Sequence, residues 1–226
     1  MTEYVLAIHR EELTKQKVGT HGLYPVDLSK IDTTAFAWLP RHVADAKDPN
    51  TGKTSAKAVA LGEHLPQILG YFQITDEEGR ILTYYRKGKE KGLTGKRSIG
   101  VGGHVDIEDS IRYNEDGGAY LLNNIGELIC RGANRELCEE IGLVVHLEPS
   151  RFTQVISSYV DPTSAVHVGL AVTIEISLEG RQKLVLAEDE FLKPAWLTPE
   201  ELVRDMIDGT EYETWSNILI QQWLDK

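Results

Sequence analysis

No stretch narrows the fold more than VHVGLAVTIEISL, residues 166–178. It is a long apolar run, rich in β-branched residues, and it suits a strand buried in a sheet. PQILGYFQITDEEGRILTYYRKGKEKG (66–92) carries two more such runs around Asp76-Glu77-Glu78-Gly79, which predicts a hairpin. SIGVGGHVD (98–106) reads as a short strand entering a glycine-rich turn. LVVHLE (143–148), RFTQVISSYV (151–160) and RQKLVLAEDEFLKPAWL (181–197, broken by an acidic loop) add strands.

Helices are fewer. Cys130, Ala133, Leu137 and Ile141 recur at helical spacing and predict a helix over 127–141, with Gly142 as its stop residue. Pro199–Ile207 and Glu211–Leu224 read as two closing helices. Residues 1–66 form an N-terminal extension expected to pack on the core: a strand at Tyr4–Ile8, a helix around Thr34–Asp45 and a polar loop over 45–57. Residues 107–126 are polar and irregular. Strands mixed with a few helices predict an α/β (α+β) fold with helices packed on a sheet.

The net charge of −11 argues against non-specific binding to nucleic acid or an anionic membrane. An acidic protein can still bind phosphates through a divalent cation. No apolar run approaches a membrane span, and the N-terminus does not read as a signal peptide. Cys130 and Cys138 would lie roughly 12 Å apart along one helix, too far for a disulfide. Free thiols without an export signal favour the cytoplasm.

RELCEEIG (135–142) stacks Glu136, Glu139 and Glu140 at i, i+3 and i+4 on one helix face. Each like-charge pair costs about 0.2–0.5 kcal/mol, and the last turns of a helix already present negative charge. Gly132 precedes Glu136 by one turn on the same stripe and leaves space for something to approach. A solvated acidic face is the ordinary outcome of such a run. Here compensating cations are few, and a bound Mg²⁺ or Mn²⁺ would remove both objections, since these ions prefer several carboxylate oxygens shared with substrate phosphates.

The segment resembles a Nudix box, the signature of the MutT-like hydrolases: Gly, five residues, Glu, seven residues, Arg-Glu-aliphatic-x-Glu-Glu-x-Gly-aliphatic. Arg135, Glu136, Leu137, Glu139, Glu140, Gly142 and Leu143 complete its second half. The first half departs, because Leu121 stands six positions before Glu127 where a glycine belongs. The glycine turn lies earlier, at Gly102-Gly103-His104-Val105-Asp106. Either Asp109 takes the first acidic position and an insertion follows it, or Glu127 takes it and the insertion splits turn from helix. The second alignment is preferred, because Gly126-Glu127 matches the family's usual helix start. SIGVGGHVD, VDPTSAVHVGL and YETWSN further resemble a bacterial group of MutT-family phosphoesterases.

The resemblance implies a Nudix α/β/α sandwich with a mixed sheet over 67–226, carrying an insertion at about 107–126 that could shape the pocket. It implies Mg²⁺- or Mn²⁺-dependent hydrolysis of a nucleoside diphosphate derivative or nucleoside triphosphate, by water attack on phosphorus. Glu136, Glu139 and Glu140 would bind metal, and Glu136 is also a candidate base. Glu188 and Glu190, on a late acidic loop, are the alternatives for that role. Arg135 would hold a box carboxylate in place. Gly102, Gly103 and His104 would border the substrate. The basic loop containing Lys87, Lys89, Lys91, Lys96 and Arg97 could steer a polyphosphate. A homodimer is expected, since family members are often dimers.

Two rival functions remain open: a non-catalytic nucleotide-sensing module, and RNA 5′-end hydrolysis, which the acidic balance disfavours. Other features carry less. His167 reads as a satisfied core histidine, and Cys138 as a core residue. Asn50-Thr51-Gly52-Lys53-Thr54 ends like a phosphate-binding loop, but position 47 is Lys where the first glycine should stand.

Overall fold

Residues 67–76 and 167–176, two apolar ten-residue runs, lie side by side as parallel strands, in register from Gln67↔His167 to Asp76↔Ile176. They form the centre of the computed structural model, which describes residues 2–45, 65–87, 93–114, 116, 118–122, 124–187 and 191–224. In chain order the strands are β1 (Tyr4–Ile8), β2 (His21–Pro25), β3 (Phe36–Pro40), β4 (Gln67–Asp76), β5 (Ile81–Arg86), β6 (Arg97–Ser98), β7 (Val101–His104), β8 (Ile111–Tyr113), β9 (Ala119–Leu121), β10 (Gln154–Ser158), β11 (His167–Ile176) and β12 (Phe191–Leu197). The helices are α1 (Arg10–Lys15), α2 (Arg41–Ala44), α3 (Ile125–Ile141), α4 (Pro162–Ala165), α5 (Leu178–Lys183), α6 (Pro199–Ile207) and α7 (Thr214–Leu224).

The main sheet has ten strands, with the path β12-β5-β4-β11-β10-β2 and side branches in which β7 and β1 pair with β4. Among the described strands, β4 and β11 run parallel and the other pairings are antiparallel, so the sheet is mixed. Alternation along β4 serves both faces. Phe72 and Ile74 join Leu137 and Ile141 of α3 in the larger core. Tyr71 turns the other way, to Trp215 and Ile218 of α7. Each such fully buried side chain contributes about 1.5–3 kcal/mol over exposure. Helices thus cover both faces of the sheet, the α/β/α arrangement expected.

The N-terminal segment packs on the core as part of the main sheet: β1 pairs with β3 and β4, and β2 pairs with β10. Three expectations need correction. The helix expected around Thr34–Asp45 is a short 3₁₀ turn, then β3, with helix only at Arg41–Ala44; Pro40, with no N–H to donate, ends a strand and precedes a helix. LVVHLE makes no strand: Leu143 donates to Leu137 O, closing the helix end, and Val144 is exposed. RQK (181–183) closes the helix α5 rather than opening a strand, its N-terminus capped by Ser177.

The segment 107–126 is also less irregular than expected. It holds a 3₁₀ turn at Ile107–Ser110 and the separate two-stranded β8–β9 sheet. Asn124 then caps α3 by accepting from Glu127 N at 3.1 Å. At the far end Gly142 takes φ +66, the left-handed conformation that favours glycine. Both cysteines are free, Cys130 buried and Cys138 exposed, so Cys138 is not a core residue. The Asn50–Thr54 segment lies outside the described residues.

Candidate active site

The glycine turn and the acidic helix meet by close approach. A Cβ on Gly103 would sit 1.9 Å from Glu136 Cδ and 2.2 Å from its Oε2, so the absent side chain is the space that the carboxylate fills. Gly132 does the same from the helix side, where a Cβ would lie 3.0 Å from Asp109 Oδ2 and 3.1 Å from Val105 Cα. What approaches Gly132 is therefore the turn itself.

Arg135 binds the two elements together. Its guanidinium grips Asp109 in two places, Nε to Oδ1 at 3.0 Å and NH2 to Oδ2 at 3.1 Å. NH2 also donates to His104 O at 2.9 Å, and NH1 to Glu136 Oε1 at 2.8 Å and Glu139 Oε2 at 3.2 Å. Burial works against the arginine's charge, but its bonds to Asp109 and the surrounding carboxylates prevail and raise its pKa. Asp109 also accepts from Asp106 N at 2.8 Å and is buried. Burial pushes Asp106 up to about 6 despite the facing Arg135.

These contacts favour the other alignment. Glu127 sits away from Arg135 and pairs with Arg112, both about 40% exposed. Asp109, six positions after Gly103, has both the box spacing and the arginine contact. On that alignment the split follows the first acidic position, and the β8–β9 hairpin stands between Asp109 and α3. The signal was in the sequence as the Gly103–Asp109 interval, outweighed by the local appearance of Gly126-Glu127.

A cavity of about 380 Å³ opens beside the turn. Glu136 and Glu140 line it, with Gly102, Gly103, His104 and Lys87. Glu139 does not; its side chain is 61% exposed. Burial raises the Glu136 pKa above the ordinary carboxylate value, against the opposing pull of Arg135. Among the described residues no three His, Cys, Asp or Glu side chains already converge as a metal cage. Two cavity carboxylates still fit Mg²⁺ or Mn²⁺, which bind through one or two carboxylates and take their remaining ligands from substrate phosphates and water.

Several residues depart from their expected roles. Arg97 is buried, donates to Thr83 Oγ1 at 2.9 Å and Asp205 Oδ2 at 2.8 Å, and does not line the cavity. His167 is no core residue: it lines the cavity, its Nδ1 donating to Thr163 O at 2.7 Å. Its Nε2 lies 3.3 Å from His104 Nε2, within hydrogen-bond distance. Burial, then the neighbouring His167 and Arg41, push the His104 pKa well down. Glu188, Glu190, Lys89 and Lys91 lie outside the described residues.

Sequence reading missed Arg41 and Glu213, both in the cavity wall. Glu213 is buried and caps α7, accepting from Trp215 N and Ser216 N, each at 3.0 Å, and from Tyr71 OH at 2.5 Å. A glutamate before a helix is an ordinary capping residue, and nothing local links it to a tyrosine 142 positions away.

The NUDIX domain profile matches residues 66–215, and the chain belongs to that family. It is thereby a Nudix hydrolase, of the family of nucleotide-derivative pyrophosphohydrolases. Among solved structures, Tm1382, a candidate Nudix hydrolase, is similar at 20% identity over 99% of both chains, with a TM-score of 0.65. The NUDIX domain of Shewanella oneidensis NrtR, complexed with ADP ribose, is 13% identical over 76% of this chain and 97% of that one, at 0.45. The MutT protein from Methanosarcina mazei Go1 is 16% identical over 71% and 97%, at 0.40. At these identities the likeness is one of fold, and only the first is close enough to carry even that. No curated protein sequence matches the chain. No helix among the described residues is long and apolar enough to cross a membrane.

Proposed function

We propose that the protein hydrolyses the phosphoric anhydride of a nucleoside diphosphate derivative or nucleoside triphosphate, with Mg²⁺ or Mn²⁺. The carrying observation is the Glu136 carboxylate, seated in the gap left by Gly103 and sharing one cavity with Glu140. These two would hold the ion. Glu139, on the same helix face but turned outward to Arg135, would join them if it swung in. The bound ion would neutralise the phosphate oxygens and acidify a water.

The chain's own residues supply the rest. Arg135 fixes Asp109 and the His104 carbonyl, so the turn and α3 keep one spacing. Backbone at Gly102 and Gly103 can approach a phosphate closely because no side chain intervenes. Lys87 in the wall adds positive charge for the substrate. Glu136, whose carboxyl is harder to ionise than usual, is suited to take a proton from the attacking water. Glu188 and Glu190 remain candidates for the same task.

The test is release of phosphate or nucleoside monophosphate from nucleoside triphosphates, sugar nucleotides and dinucleotide cofactors, with and without Mg²⁺. Turnover should vanish without the ion. Binding of nucleotides without turnover in either Mg²⁺ or Mn²⁺ would instead make this a sensing module.

A further inference from the structure

The insertion at 107–126, which could have shaped the pocket, does not line the cavity through any described residue. Its hairpin leaves Tyr113, Tyr120 and Leu121 exposed. The cavity wall does include Arg41, the first residue of α2, outside the 66–215 span of the family match.

The backbone carrying Arg41 is tied to the glycine turn. Arg41 N donates to Glu3 O at 2.9 Å, and the β1–β3 ladder starts at Tyr4↔Pro40. Two residues along β1, Leu6 N donates to Val105 O at 2.8 Å, just past His104. The Arg41 charge acts on the half-buried His104, after burial and His167, in lowering its pKa. Glu136 meets the turn at Gly103. The carboxylates of Glu136 and Glu140 thus share one cavity with the cations of Arg41, Arg86 and Lys87.

The Arg41 guanidinium is held loosely. NH1 pairs with Glu3 Oε1 at 2.6 Å, but the two side chains are 39% and 45% exposed. A pair so exposed contributes little net energy. A planar fork with five N–H donors suits a phosphoryl group, which binds it through two oxygens.

We propose that Arg41 binds a phosphoryl group of the substrate beyond the anhydride held at the Glu136–Glu140 end, so that the N-terminal segment selects substrates by their terminal charge. This rests on the anhydride-hydrolase reading and adds a substrate class to it: nucleoside triphosphates, or diphosphate derivatives with a phosphorylated end, over those with a neutral end.

The test is calorimetric titration of the full chain in Mg²⁺ with tripolyphosphate and with pyrophosphate, for wild type, Arg41→Gln and Glu3→Gln. Wild type should prefer tripolyphosphate by about 10- to 100-fold, the worth of one charge-assisted contact. Arg41→Gln should abolish the preference and leave pyrophosphate binding nearly unchanged. Glu3→Gln, which only frees the guanidinium, should keep it. Equal affinities in wild type, no binding of either probe, or a preference surviving Arg41→Gln would overturn the proposal. So would an equal loss in Glu3→Gln, which would assign the effect to anchoring of the segment. Failure of the hydrolase reading looks different: the preference persists while no anhydride on the panel is cleaved.

Discussion

Gly102 and Gly103 are adjacent, yet alanine should act at each through a different mechanism. At Gly103 the new methyl would lie 1.9 Å from Glu136 Cδ, where carbon atoms rest at about 3.5–4.0 Å. The neighbour is the end of a flexible side chain, so the carboxylate yields by roughly 1.5–2 Å and leaves its seat. A misplacement of about 1 Å can cost roughly 100-fold in rate, so Gly103→Ala should lose at least about that in kcat/KM. At Gly102 the methyl would lie 2.4 Å from Gly70 O, a backbone atom inside the β4–β7 ladder that cannot swing away. Overpacking there costs about 1–3 kcal/mol, a fall in Tm of about 2–4 °C per kcal/mol for a chain of this size. Phosphate-release kinetics and thermal denaturation on both variants separate the effects. Full activity in Gly103→Ala, or a Tm loss at Gly103 larger than at Gly102, would refute the assignment of that space to Glu136.

Other outcomes follow from the same contacts. Asp109→Ala strands Arg135 partly buried without its main partner and should cost about 3 kcal/mol, whereas Glu127→Ala removes an exposed pair and should cost under about 1 kcal/mol; chemical denaturation ranks them, and equal losses would restore the Glu127 alignment. Arg135→Lys cannot reproduce the two-point grip on Asp109 and should recover only a fraction of what Arg135→Ala loses in activity. Asp106 is held up to about 6 from 3.8, so the folded state favours its protonated form; that contribution is complete below about pH 3.8 and is lost as pH rises through about 6. The Tm of wild type minus that of Asp106→Asn should therefore fall between pH 4 and 7, and a flat difference would contradict the shift.

Local pattern made much of the fold legible. The alternation in 67–86, the apolar run at 167–176 and the spacing of Cys130, Ala133, Leu137 and Ile141 each specify an element from neighbouring residues alone. What failed was non-local. LVVHLE has strand composition, but a strand needs a partner edge and the helix end claims its first N–H instead. Arg97 reads as part of a basic loop, yet Asp205, 108 positions on, buries it. Arg41 has no motif at all; the pairing of β1 with β3 and β4 brings it to the cavity wall. The acidic stripe at 136–140 was readable as a stripe, but its division into Glu136 and Glu140 facing the cavity and Glu139 facing solvent depends on how the turn packs on α3.

The most direct test of the central claim is a Mg²⁺ titration of phosphoric anhydride hydrolysis by wild type, Glu136→Gln and Glu140→Gln, with circular dichroism confirming that each variant is folded. Rates should rise with Mg²⁺ to saturation in wild type and fall by at least about 100-fold in both variants. Mg²⁺-independent turnover, or wild-type rates in folded Glu136→Gln and Glu140→Gln, would contradict the account.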